Sequence, residues 1–243
     1  MTFSVLMVLV GCETETTAPE HHQGDQGEFD NPYDWVGEMH NKGLDHALSR
    51  IAADPSADWG PDAVKTVVME FVQSEPGGPH LLAAGVSDVD FRDLAAIGLW
   101  TVDAYHGYIS TLYTEGKVSH EFADYATLIL DLCLQGSAER LNHIAGGIHN
   151  SAMPQGEKVI LLSAVAVAKH STEYWSTRPA TEVLRGTQAL PPIAAADLVG
   201  GVCGGVTTWV TTRGTGHSDW MDIAGGALIG AVGASTLGFL KVG

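Results

Sequence analysis

Two apolar segments near the C-terminus, IAAADLVGGVCGGVTTWVTT (193–212) and MDIAGGALIGAVGASTLGFL (221–240), carry small residues at every fourth position. Ala196, Gly200 and Gly204 recur in the first; Gly226, Gly230, Ala234 and Gly238 recur in the second. Residues four apart share one face of an α-helix, so each set leaves a groove into which another backbone can settle. Glycine inside a helix costs about 1 kcal/mol relative to alanine. Helices with this many glycines are stable only if close packing offsets that loss. The connecting stretch RGTGHSDW reads as a turn, with Ser218 or Asp219 capping the last helix. The pattern predicts an antiparallel helical hairpin over residues 191–243, docked on the rest of the protein. Insertion of the hairpin into a membrane and a flexible tail are the alternatives. Ile223 to Leu240 is eighteen residues without a charge, the lower limit for a span, but Asp197 would be expensive in lipid.

The rest of the chain also repeats at helical spacing. Asn31 is placed to cap a first helix with Pro32 in its first position, followed by Val36, Met39, Gly43, Ala47 and Ile51. A second starts at Pro61 and uses Val64, Val67, Val68, Phe71 and Val72, before the break PGGP at 76–79. Ser87 with Asp90 suggests the start of a third. Its stripe would run unbroken through Phe91, Leu94, Gly98, Val102, Tyr105, Ile109 and Leu112 to Glu115-Gly116. Ser119 caps a fourth, with Phe122, Tyr125, Ile129, Leu132 and Cys133 inward, and a shorter helix covers 137–149. From Pro154, the ten apolar residues VILLSAVAVA (159–168) suit a buried core helix that continues to His170, Tyr174 and Trp175 and stops at Arg178-Pro179. No period-two stretch competes. The fold class is all-α: a multi-helix bundle over 31–190 with a C-terminal Gly/Ala-rich helical hairpin.

The N-terminus carries a different signal. Met1 to Val10 is uncharged and apolar, and Leu9-Val10-Gly11-Cys12 resembles the lipobox of bacterial lipoproteins, in which the cysteine is acylated. Residues 1–11 then form a signal peptide and Cys12 the lipidation site. The first Lys or Arg is Lys42, so the positive n-region of a secretory signal is missing; either the recorded start is truncated or the likeness to a lipobox is accidental. Residues 12–30 are an acidic tether almost without apolar side chains, in which His21-His22 is read as incidental. The formal charge of −17 excludes a nucleic-acid partner and electrostatic docking on anionic lipid. Cys133 and Cys203 are read either as a disulfide of the oxidising envelope or as two buried thiols.

The segments NPYDWVGEMHNKGLDHAL (31–48) and AVAKHSTEYW (166–175), together with the glycine-zipper C-terminus, resemble a family of uncharacterised Bacteroidota secreted proteins and lipoproteins. The resemblance implies an envelope protein with a helical body and brings no activity with it; the expected address is the outer membrane or cell surface ahead of the inner membrane. Glu13 and Glu15, shortly after the lipid cysteine, are compatible with surface export in that phylum. The zipper also looks like those of bacteriocins and membrane-active toxins.

A search for chemistry yields only pairs. Glu139 with His143 (i, i+4), and Asp103 with His106 and His170 with Glu173 (i, i+3), could each present two metal ligands on one helix face. HExxH, CxxC and GxSxG are all absent, and the glycines at 200–205 and 225–233 lack the lysine of a phosphate loop. His217-Ser218-Asp219 joins three catalytic residue types in sequence, but a triad is assembled in space. The expectation is a non-catalytic lipoprotein without cofactor, held to the membrane through its lipid, and through 221–240 if the hairpin inserts. Its helical body would bind an envelope partner or a second copy of itself. A membrane-active, toxin-like protein and a metal-dependent hydrolase using His143 or His106 are the alternatives.

Overall fold

Local signals start and stop most of the helices. In a computed structural model, residues 29–76, 78, 89–92, 101–177, 190–212 and 219–242 are described. Among them are eight helices and no strand: α1 (Asp34–Ala53), α2 (Pro61–Ser74), α3 (Val102–Thr114), α4 (His120–Leu134), α5 (Ala138–Asn150), α6 (Gln155–Thr177), α7 (Leu190–Thr212) and α8 (Trp220–Val242). The fold is an all-α multi-helix bundle. Pro61 opens α2, where its missing N–H costs nothing. The Ser119 hydroxyl accepts the Phe122 N–H and caps α4. Gly116 and Gly136, at φ +66° and +65°, let the chain leave α3 and α4 through the left-handed region. The Asp219 carboxylate accepts the Met221 N–H at the start of α8.

Two starts differ from the sequence reading. Asn31 does not cap α1. Its Oδ1 accepts the Tyr33 N–H at 3.0 Å and its amide donates to the Leu162 carbonyl at 2.9 Å, so the side chain closes a turn and pins that turn to α6. The helix begins only at Asp34. Nor is the stripe from Phe91 to Leu112 one helix. Thr101 is extended (φ −123°, ψ 150°) and its hydroxyl accepts the Ala104 N–H, which starts α3 at Val102. Apolar spacing that happens to stay in phase across a break hides the break. Ser87, Leu94, Gly98, Arg178 and Pro179 lie outside the described residues.

Helix α6 is the axis of the bundle. Every residue from Val159 to Ala168 is buried, so α6 is covered on all sides, by α1, α4, α5, α7 and α8. The hairpin α7–α8 is the most extensive helix pairing among the described residues. Gly200 faces Gly230 and Gly204 faces Gly226, and each carbonyl oxygen fills the space that a side chain on the opposite glycine would need. Ala234 closes on Gly200 and Thr208 on Gly226 from either end. Ala196 and Gly238 are buried further along the same helices. Trp220–Leu240 is long and apolar enough to cross a membrane, but 89% of an eighteen-residue apolar stretch within it is buried inside the bundle, as in a core helix. Cys133 and Cys203 are free, buried thiols, and burial pushes both up to about 12.

Candidate functional site

Asp197 is the only charged residue in the segment 193–212, and it is fully buried. A carboxylate in such a place must be hydrogen-bonded or protonated. Three other helices supply the partners. Ser171 and Trp175 stand one turn apart on α6, and both donate to Oδ2, the indole N–H at 3.1 Å. Ser235 of α8 donates to Oδ1. From α1 the His40 ring brings Nε2 to 3.1 Å from the Ser235 hydroxyl and 3.8 Å from Asp197 Oδ1. On its other side His40 Nδ1 lies 3.1 Å from Asn41 Oδ1, and the Asn41 amide donates to the His170 carbonyl at 3.0 Å. Beyond Asn41, at the half-exposed edge, Asp34 pairs with Lys169 at 2.8 Å and His170 at 3.1 Å.

Burial dominates the electrostatics. It raises the Asp197 carboxyl to about 7, against the opposing hydrogen bonds from Ser171 and Trp175. It lowers His40 to about 4; the Asn41 hydrogen bond acts the other way and the nearby His170 adds to the fall. At the edge, burial would raise Asp34, but the hydrogen bonds and charges of Lys169 and His170 outweigh it and hold the carboxyl below its usual range. A second buried acid, Glu157, serves a different purpose. Its carboxylate accepts the Ser119 N–H at 2.9 Å and the Ser119 hydroxyl at 2.5 Å, which ties the start of α6 to the capped start of α4.

Serine, histidine and aspartate thus meet in space, but not where a substrate can reach them. His40, Asp197 and Ser235 are each 0% exposed. A serine beside an imidazole is a nucleophile–base pair only when the reacting carbon can approach it. In this setting the cluster fastens α1, α6, α7 and α8 to one another.

The residues singled out from sequence lie elsewhere. Glu139 and His143 are exposed on α5, Asp103 is exposed, and His106 is half-buried with its ring against Tyr105. His106 Nε2 is buried without a hydrogen-bond partner. His170 pairs with Asp34 and not with Glu173, which is exposed. Among the described residues no three His, Cys, Asp or Glu side chains gather where they could hold a metal ion. Cys12, Glu13, Glu15, His21, His22, His217 and Ser218 lie outside the described residues. Sequence reasoning missed His40, Ser171, Trp175 and Ser235. The one signal for them was Asp197 itself, a lone charge on an apolar helix that requires buried donors from its neighbours.

Compared with known protein families, curated proteins and solved structures, the chain shows no match.

Proposed function

We propose that the protein is a non-catalytic lipoprotein of the bacterial cell envelope, acylated at Cys12 and of the Bacteroidota type that segments 31–48 and 166–175 resemble. Its helical body is the working part: a scaffold that binds an envelope partner or a second copy of itself. The observation that carries this reading is the enclosure of Ser235, His40 and Asp197, which commits the polar groups best suited to catalysis to joining helices. The acidic stretch from Glu13 to Asp30 supports it as the spacer between lipid and body. Metabolic labelling with a palmitate analogue tests the anchor. Label is expected on the wild type and none on Cys12→Ala; an unlabelled wild type removes the reading.

A second reading is favoured by one observation, the length and apolarity of Trp220–Leu240. On this reading the protein is membrane-active and its hairpin leaves the bundle to insert. Dye release from liposomes that is lost in Gly230→Leu supports it, whereas no release at micromolar protein counts against it.

A further inference from the structure

The buried cluster has a property that neither of its ionisable members has alone. The Asn41 amide is oriented by its donation to the His170 carbonyl, so Asn41 Oδ1 faces His40 Nδ1 and fixes that nitrogen as the N–H donor. His40 Nε2 is left to the Ser235 hydroxyl, and the same hydroxyl touches Asp197 Oδ1. Two arrangements of a single proton satisfy this chain. In one, the Asp197 carboxyl donates to Ser235 Oγ and the Ser235 hydroxyl donates to neutral His40 Nε2. In the other, the carboxyl proton has moved to Ser235 Oγ while the former Ser235 proton has moved to Nε2. The carboxylate then accepts from Ser235, and the imidazolium donates to it. No heavy atom leaves its place, and the net charge of the cluster is zero in both.

We propose that Asp197, Ser235 and His40 form a one-proton relay that keeps the seat of the hairpin neutral across the acid range. The packing around it supports this. From α4 the Cys133 thiol, bonded toward Ala168 and Thr172, feels the Asp197 charge and stays protonated throughout that range. From α6 it meets His170, whose ring is turned to Asp34 beside Lys169, on the far side of Asn41. Ser171 and Trp175 of α6 and Ser235 of α8 bring no titrating group. Linkage makes the relay measurable. Between its ordinary carboxyl and imidazole values the unfolded chain carries one proton on this pair, on the histidine. The folded pair also carries one, so folding moves the proton without taking up or releasing any, and the pair adds no slope to stability against pH.

Removing either end uncovers the other. In His40→Gln, Asp197 remains, with a folded value raised to about 7. The folded state then holds the extra proton, and stability falls as pH rises from about 4 to about 7. In Asp197→Asn, His40 remains, lowered to about 4, and stability falls as pH drops from about 6.5 to about 4. Urea unfolding of the full chain across this range tests both. Relative to wild type, the unfolding constant is expected to change about tenfold per pH unit, in opposite directions for the two variants. The double variant is expected to run parallel to wild type. Single variants that also run parallel to wild type overturn the proposal. Should the single variants not fold, Ser235→Ala keeps both titrating groups and removes only the bridge. Nitrogen-15 NMR is expected to place His40 Nε2 of the wild type between the neutral and imidazolium limits, without change between pH about 4.5 and about 6.5. In Ser235→Ala it is expected to move to one limit. The same shift in both proteins, or a wild-type His40 that titrates within that window, overturns the relay.

Discussion

The hairpin and the outer helices solve the same packing problem in opposite ways. Between α7 and α8 the contact is backbone against backbone, with the carbonyls of Gly200, Gly204, Gly226 and Gly230 occupying one another's side-chain space. Around α3 and α4 the contact is made by large side chains: Tyr105, Ile109, Phe122, Ile129 and Leu130 are all buried. Tyr105 even reaches across to donate its hydroxyl to the Ala126 carbonyl at 3.0 Å. One region gains from having no atoms to spare and the other from having many. Glycine therefore means different things in the two places. Gly204 is walled in by the Gly226 carbonyl, whereas Gly107 on α3 has nothing within 4 Å of where a side chain would start.

Four substitutions sharpen the contrast, each read by urea or thermal unfolding. Phe122→Ala empties a fully buried position at the start of α4. The expected loss is about 4 kcal/mol from lost transfer energy and the cavity left behind; a loss below about 1 kcal/mol would mean that α4 collapses onto the gap. Gly204→Ala adds one methyl where there is no room. Despite the better helix propensity of alanine, a loss of about 2 kcal/mol is expected, because the two backbones must separate. Its neighbour Gly201 is the control on the same helix. A methyl there would meet Ala227 O and the Ala231 side chain at 3.7 Å, an ordinary contact, so Gly201→Ala is expected to be neutral or stabilising. Gly107→Ala is expected to give a gain of about 0.5 kcal/mol from propensity and a stiffer unfolded chain. If Gly204→Ala and Gly107→Ala move stability in the same direction, the hairpin is not packed through its backbone.

The class of the fold could be read from the chain because apolar spacing and caps act locally. Pro61, Ser119, Gly116 and the run 159–168 each determine their surroundings within a turn or two. The four-residue spacing of Ala196, Gly200 and Gly204 likewise told which face of α7 was special. It did not tell which residue of α8 would stand opposite, since register across a hairpin is set by tertiary packing. The polar cluster was less legible still. His40, Ser171, Asp197 and Ser235 are spread over nearly two hundred positions, and a serine on an apolar helix looks the same whether it bonds its own backbone or a distant carboxylate. Ser235 lies within reach of both, at 2.8 Å from the Ala231 carbonyl and on Asp197. The misread helix start at Thr101 has a simpler cause, because the residues around the break continue the same apolar phase.

The bond from Asn31 to Leu162 has a mechanical consequence. Any force on the chain ahead of residue 29 passes Phe29, whose ring packs 5.0 Å from that of His149, and then meets this side chain, which is buried and grips α6 inside the helix rather than at an end. Behind it, Gly37 lies against the Ala166 carbonyl, and Lys169 and His170 hold Asp34, so the load spreads along two turns of the central helix before it can peel α1 away. Pulled from its N-terminus, the bundle is loaded in shear through its axis and not unzipped from its edge.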